Sequence, residues 1–116
     1  MQSGKLSLPT LTLERVMTDK ELLELAAKAA GLNQSYSANR YTYWDGEKFV
    51  KWNPLDDDGD ALRLAVKLGM VVEVLSDQKV VFVDALYIIE LPLGDDPYAA
   101  TRRAIVRAAA EIGRAM

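Results

Sequence analysis

The chain predicts a small α+β domain with a mainly antiparallel sheet, and three observations predict it. Its 116 residues make one domain, since two would each fall below about 60 residues and bury too little surface. Half of the residues are apolar and 27% are charged, the composition of a globular protein rather than a disordered one. Helical periodicity with its own start and stop signals recurs three times, and the stretches between carry short β-prone runs. The order that results is α-ββ-α-ββ(β)-α, without a repeat of fixed period.

Residues 1–17 read as a partly flexible N-terminal arm, and residues 18–116 as the single folded domain. The first helix opens at Thr18, where Thr18 as N-cap and Glu21 three residues on can satisfy each other's exposed backbone donors in a capping box. Leu22, Leu25, Ala26 and Ala29 follow at helical spacing, and Gly31 suits the left-handed position that stops the helix. Residues 39–44 and 47–52 are β-prone runs separated by Asp45-Gly46, which predicts a two-residue type I′ turn. That turn sets Trp44 opposite Glu47 and Tyr43 opposite Lys48. Tyr41, Tyr43, Val50 and Trp52 then share one face, with Trp44 and Phe49 on the other.

The loop 53–60 delivers the second helix, with Asp57 as N-cap and Asp60 at N3. Ala61, Leu64, Ala65 and Leu68 form its inward stripe, and Gly69 ends it. Residues 71–75 and 80–83 read as strands around the turn 76–79. A third run at 86–91 either extends the second strand past a bulge or forms its own, and Pro92 ends it. Asp96 caps the last helix and Pro97 sits at N1, where its missing N–H costs nothing. Projected on a 3.6-residue period, residues 97–116 put Tyr98, Thr101, Ile105, Ala108, Ala109, Ile112 and Met116 on one side. Arg103, Arg107, Glu111 and Arg114 fall opposite, and the alanines permit close approach to a neighbour.

Composition removes several chemistries. Without Cys or His the chain has no disulfide, thiolate nucleophile or imidazole base, and no zinc, iron or haem site built from the usual ligands. Fourteen basic against 17 acidic side chains argue against a general polyphosphate binder. No window is long and apolar enough to cross a bilayer, and the first residues lack the apolar core of a signal peptide, so a cytoplasmic location is expected.

Four patterns invite a functional reading, each beside a plainer one. The acidic loop 56–60 resembles a calcium loop only superficially. Aligning Gly59 with the invariant glycine puts Pro54 and Ala65 where an Asp and a bidentate Glu are required, so capping is the expected role and no metal or other cofactor is assigned. Ser76 and Lys79 match a Ser-x-x-Lys spacing but lie in a turn rather than on a pocket-facing helix. The carboxylates fall mostly in caps and turns, so a carboxylate hydrolase is the least favoured class and no catalytic residue is assigned. Arg102, Arg103, Arg107 and Arg114, against the single Glu111, give the last helix a basic face whose natural use is phosphate, but no reading module accompanies it. Six of the nine aromatic residues lie between positions 36 and 52, more than one hairpin face needs for its core. Tyr41, Tyr43, Trp44, Phe49 and Trp52 are therefore the candidate interface, most simply of a homodimer.

Residues 52–68 and 96–113, with the opening helix from 22 to 31, resemble the phage ABA sandwich domain, a family of short phage and prophage proteins. The resemblance implies a three-layer α/β/α sandwich, bacteriophage or prophage origin, a cytoplasmic place in the bacterial host, and no established activity. It carries over no catalytic or ligand residue. Asp56 stands where the family pattern leads us to expect a small polar residue, which leaves the Asp57 cap intact. Together these readings predict a non-enzymatic accessory protein acting through self-association or contact with another phage or host protein. The alternative is a nucleic-acid-binding accessory protein using the last helix.

Overall fold

The computed structural model describes residues 17–32 and 34–116. Apart from Met17, the expected N-terminal arm lies outside the described residues. The elements are α1 (Asp19–Ala29), β1 (Thr42–Trp44), β2 (Phe49–Lys51), α2 (Asp58–Lys67), β3 (Val71–Leu75), β4 (Val80–Asp84), β5 (Ile88–Pro92) and α3 (Pro97–Ala115). They form a small α+β fold in which three helices and two antiparallel sheets are arranged around one another. One sheet is the β1–β2 hairpin, and the other has the order β3-β4-β5. The run at 86–91 thus yields a separate strand: the Ala85 N–H donates to the Tyr87 carbonyl at 3.2 Å, closing a tight turn before Ile88.

The helix signals act where they were expected. Thr18 and Glu21 form the reciprocal capping box, at 3.1 Å from the Glu21 N–H and 2.8 Å from the Thr18 N–H. Asp57 accepts the Asp60 N–H at 2.8 Å, and Asp96 accepts those of Tyr98 and Ala99 at 3.1 Å each, with Pro97 in the first turn. Gly31 and Gly69, at φ +83° and +65°, take the left-handed position beyond α1 and α2, which an L side chain would strain.

α3 is the centre of the molecule. The projection gave it one apolar side, but Ala104, Val106, Ala110 and Gly113 are buried as well, while Tyr98 and Met116 are exposed. The reason is that α3 has neighbours on several sides: α1, α2, and the face of β4 and β5 that carries Val81, Val83, Ile89 and Leu91. α1 and α3 run in the same direction. Arg103 Nη2 meets Asp19 Oδ1 at 2.6 Å at one end of the pair, and Lys28 Nζ meets the Met116 carbonyl at 3.4 Å at the other. Between them Gly113 lies against the Leu25 carbonyl so closely that a Cβ would overlap it. Small side chains let the two axes approach, as the alanine-rich composition predicted.

The hairpin departs from its expected register. Trp44 pairs with Phe49, Tyr43 with Val50 and Thr42 with Lys51, so four residues rather than two lie between the strands. Asp45 is the cause. Its carboxylate accepts the Glu47 and Lys48 N–H groups at 2.8 and 2.9 Å while its own N–H donates to the Lys48 carbonyl at 3.0 Å, which stabilises the wider loop. The Lys48 amide, then the Glu47 amide, hold the Asp45 carboxyl below the usual aspartate range. Because the slip is two residues, each side chain keeps its expected face. The first strand starts later than expected, at Thr42, since Tyr41 has φ +56° and the preceding residues turn back on Ser37.

Candidate interaction surface

The five aromatic residues singled out in the sequence separate into three environments. Trp44 and Phe49 are 46% and 68% exposed on one face of the hairpin, their rings edge-on with centroids 5.0 Å apart. Tyr41 is exposed just before β1, and Tyr43 is half-buried beside the core. Trp52 is 8% exposed and belongs to the core, which corrects its assignment to the surface. It follows the last hairpin residue, and its N–H donates to the Tyr41 carbonyl at 2.7 Å, which turns the indole inward against Tyr36. The Tyr36 ring stands edge-on to it at 5.2 Å and its hydroxyl donates to the Trp52 carbonyl at 3.1 Å. Burial, reinforced by Tyr41, Asp60 and Glu24, pushes the Tyr36 phenol well above its ordinary value.

The arginines of α3 are mostly engaged by groups of the same chain. Arg102 is mostly buried, with Nε donating to the Leu55 carbonyl at 2.8 Å and Nη1 to Asp58 at 2.6 Å, and so ties α3 to the acidic loop. Arg103 reaches across to Asp19, and Arg114 pairs with Glu111 at 3.3 Å. Among the described residues, Arg107 is the arginine of this set without an ion pair. Three guanidinium groups are therefore committed to carboxylates of the same chain, and a phosphate would have to compete with them.

In the acidic loop, Asp57 and Asp60 serve the start of α2. Asp60 accepts the Asn53 N–H at 2.9 Å with one oxygen and Arg63 Nη2 at 2.8 Å with the other, so Asp60 fixes the entry to α2 as well as its first turn. Among the described residues no group of three or more acidic side chains is placed to hold a metal ion. Ser76 and Lys79 lie in the β3–β4 turn, where the Lys79 N–H donates to the Ser76 carbonyl at 3.3 Å. No helix among the described residues is long and apolar enough to cross a membrane.

Two surfaces were missed. A groove of about 580 Å³ runs between α2, β3 and the start of α3, lined chiefly by Leu62, Val72, Val74, Tyr98 and Ile105. The second is the face of the three-stranded sheet turned away from α3. Its nine positions stand in three rows: Val71, Asp84 and Ile88; Glu73, Phe82 and Glu90; Leu75, Val80 and Pro92. Val71 and Ile88 are 62% and 67% exposed, and with Phe82, Glu73 and Asp84 they line a shallow hollow of about 230 Å³. The sequence did contain this signal, since alternate positions on both sides of all three strands are largely apolar, leaving no wholly polar side for solvent. No protein-family model, curated protein or solved structure matches the chain.

Proposed function

We propose that this chain is a non-enzymatic accessory protein of a bacteriophage or prophage that acts by self-association, a homodimer in its simplest form, with the β1–β2 hairpin in the contact. The observation that carries the reading is the exposed, edge-stacked Trp44–Phe49 pair. Two large aromatic side chains held together by the strand register, with most of the Phe49 ring in solvent, are a surface to be covered rather than a solvated one. Tyr41, also exposed, adjoins them in sequence. The phage origin rests on the resemblance of residues 52–68 and 96–113, and a gene lying among phage replication, assembly or lysis genes would support it.

The ion pairs of Arg102, Arg103 and Arg114 weigh against the nucleic-acid alternative. Equilibrium sedimentation at about 10 to 50 μM should report a multiple of the 12.8 kDa chain mass, because assembly follows mass action. Trp44→Ala should move the protein toward monomer with an unchanged far-ultraviolet spectrum. A wild-type monomer throughout that range would end the proposal.

A further inference from the structure

The hairpin face and the outer face of the three-stranded sheet complement each other better than either complements itself. The sheet face carries Glu73, Asp84 and Glu90, all exposed, around the half-buried Phe82, and has no cation at any of its nine positions. Stacking two such faces about a two-fold axis would bring six carboxylates into one contact, and like charges facing each other across an interface oppose it. The hairpin face consists of Thr42, Trp44, Phe49 and Lys51, with Lys51 its one charge. Two hairpin faces would oppose Lys51 to its own copy.

Brought against the sheet face of a second copy, the same hairpin meets the opposite charge and a larger apolar surface. The hollow of about 230 Å³, lined by Val71, Phe82 and Ile88 together with Glu73 and Asp84, lies below the range of small-molecule pockets and has the scale of one large side chain. Phe49 is the most exposed aromatic of the hairpin and projects beside Lys51. From these observations, and resting on the self-association reading, we propose that copies of this chain associate head to tail: Phe49 of one copy enters the hollow between Val71, Phe82 and Ile88 of the next, and Lys51 faces Glu73 and Glu90. Such a contact joins two different patches, so it propagates until a ring closes or a filament forms. It also opposes anionic partners on the sheet face, nucleic acid included.

Two full-length variants at exposed positions test the pairing. Phe49→Ser disables the hairpin and leaves the sheet face intact, and Ile88→Arg does the reverse. Each alone should weaken assembly by about tenfold or more, the effect of losing a central contact residue. Mixed in equal amounts they should form a species of twice the chain mass in sedimentation, because one copy still offers a hairpin and the other a sheet face. Circular dichroism of each variant should match that of the wild type. If Ile88→Arg assembles like the wild type while Phe49→Ser does not, self-association through the hairpin stands and this pairing is overturned. The pairing is likewise overturned if both variants are monomeric and their mixture stays monomeric. A wild-type protein that is itself monomeric removes the self-association reading, and the pairing with it.

Discussion

The α1–α3 seam and the β1–β2 hairpin are each governed by one local backbone feature, with opposite results. At the seam Gly113 lets the Leu25 carbonyl lie against the α3 backbone, and the surrounding Ala26, Ala27, Ala109 and Ala110 disappear from solvent. In the hairpin Asp45 sets the loop through hydrogen bonds alone, and Trp44 and Phe49 remain largely uncovered although they are among the largest side chains of the chain. Close packing in this protein is made by what the side chains lack. The bulky groups outside the core stay in solvent, and the fold gains little by holding them where they are.

That contrast is sharpest for Gly113. Gly113→Ala should destabilise the fold by about 3 kcal/mol, the upper part of the range for overpacking a tight core, because the new methyl meets backbone rather than a movable side chain. Urea denaturation measures it, and a loss below about 0.5 kcal/mol, the scale of an ordinary surface change, would mean that the seam has slack. Tyr36→Phe tests the join between the two regions. Losing the hydrogen bond to the Trp52 carbonyl should cost about 1 kcal/mol near neutrality. The phenol's folded value lies above its ordinary 10.0, so the wild-type contribution is complete below that pH. Above it the unfolded chain releases its proton first and stability falls. The Phe variant should lack this alkaline loss, and an identical pH profile for the two proteins would contradict the burial of Tyr36. The smallest effect belongs to the hairpin: Phe49→Ala should change the stability of the monomer, measured at dilution, by less than about 0.5 kcal/mol. A larger loss would make Phe49 part of the fold and erase the contrast.

What could be read from the sequence was what chemistry decides within a few residues. Thr18, Glu21, Asp57, Asp96 and Pro97 all act in the helix starts assigned to them, since a cap and its amide lie two or three positions apart. Asp60 was expected only to favour the first turn of α2, and its bond to the Asn53 N–H became visible once the loop was folded. Gly113 gave no signal at all: its partner is Leu25, 88 residues earlier, and a glycine near a helix end looks ordinary. The hairpin faces were legible because alternation fixes them, but the register was not, because Asp45-Gly46 suits a tight turn and a wider loop alike. Alternation set Trp52 and Trp44 on opposite faces, but could not show that the face of Trp52 is the one turned inward, since both faces carry large aromatic side chains. The partners of the α3 arginines were hidden for a nonlocal reason: the carboxylates that hold Arg102 and Arg103 come from other elements.

The central place of α3 has a consequence for the order in which the molecule can assemble. Every other described element precedes α3 in the chain, and the ribosome delivers them in that order. Until residues 97–115 emerge, the nascent chain lacks the helix against which Leu22, Ala26, Val81 and Val83 chiefly pack. The earlier helices and the β3-β4-β5 meander can form only as local, marginal pieces. The closing step must bring together segments more than 80 residues apart, a high-contact-order event that is slow and leaves apolar strands exposed while it waits. A chain stopped short of Pro97 would keep the strands and lose the element they fold against, and would be a substrate for chaperones and proteases.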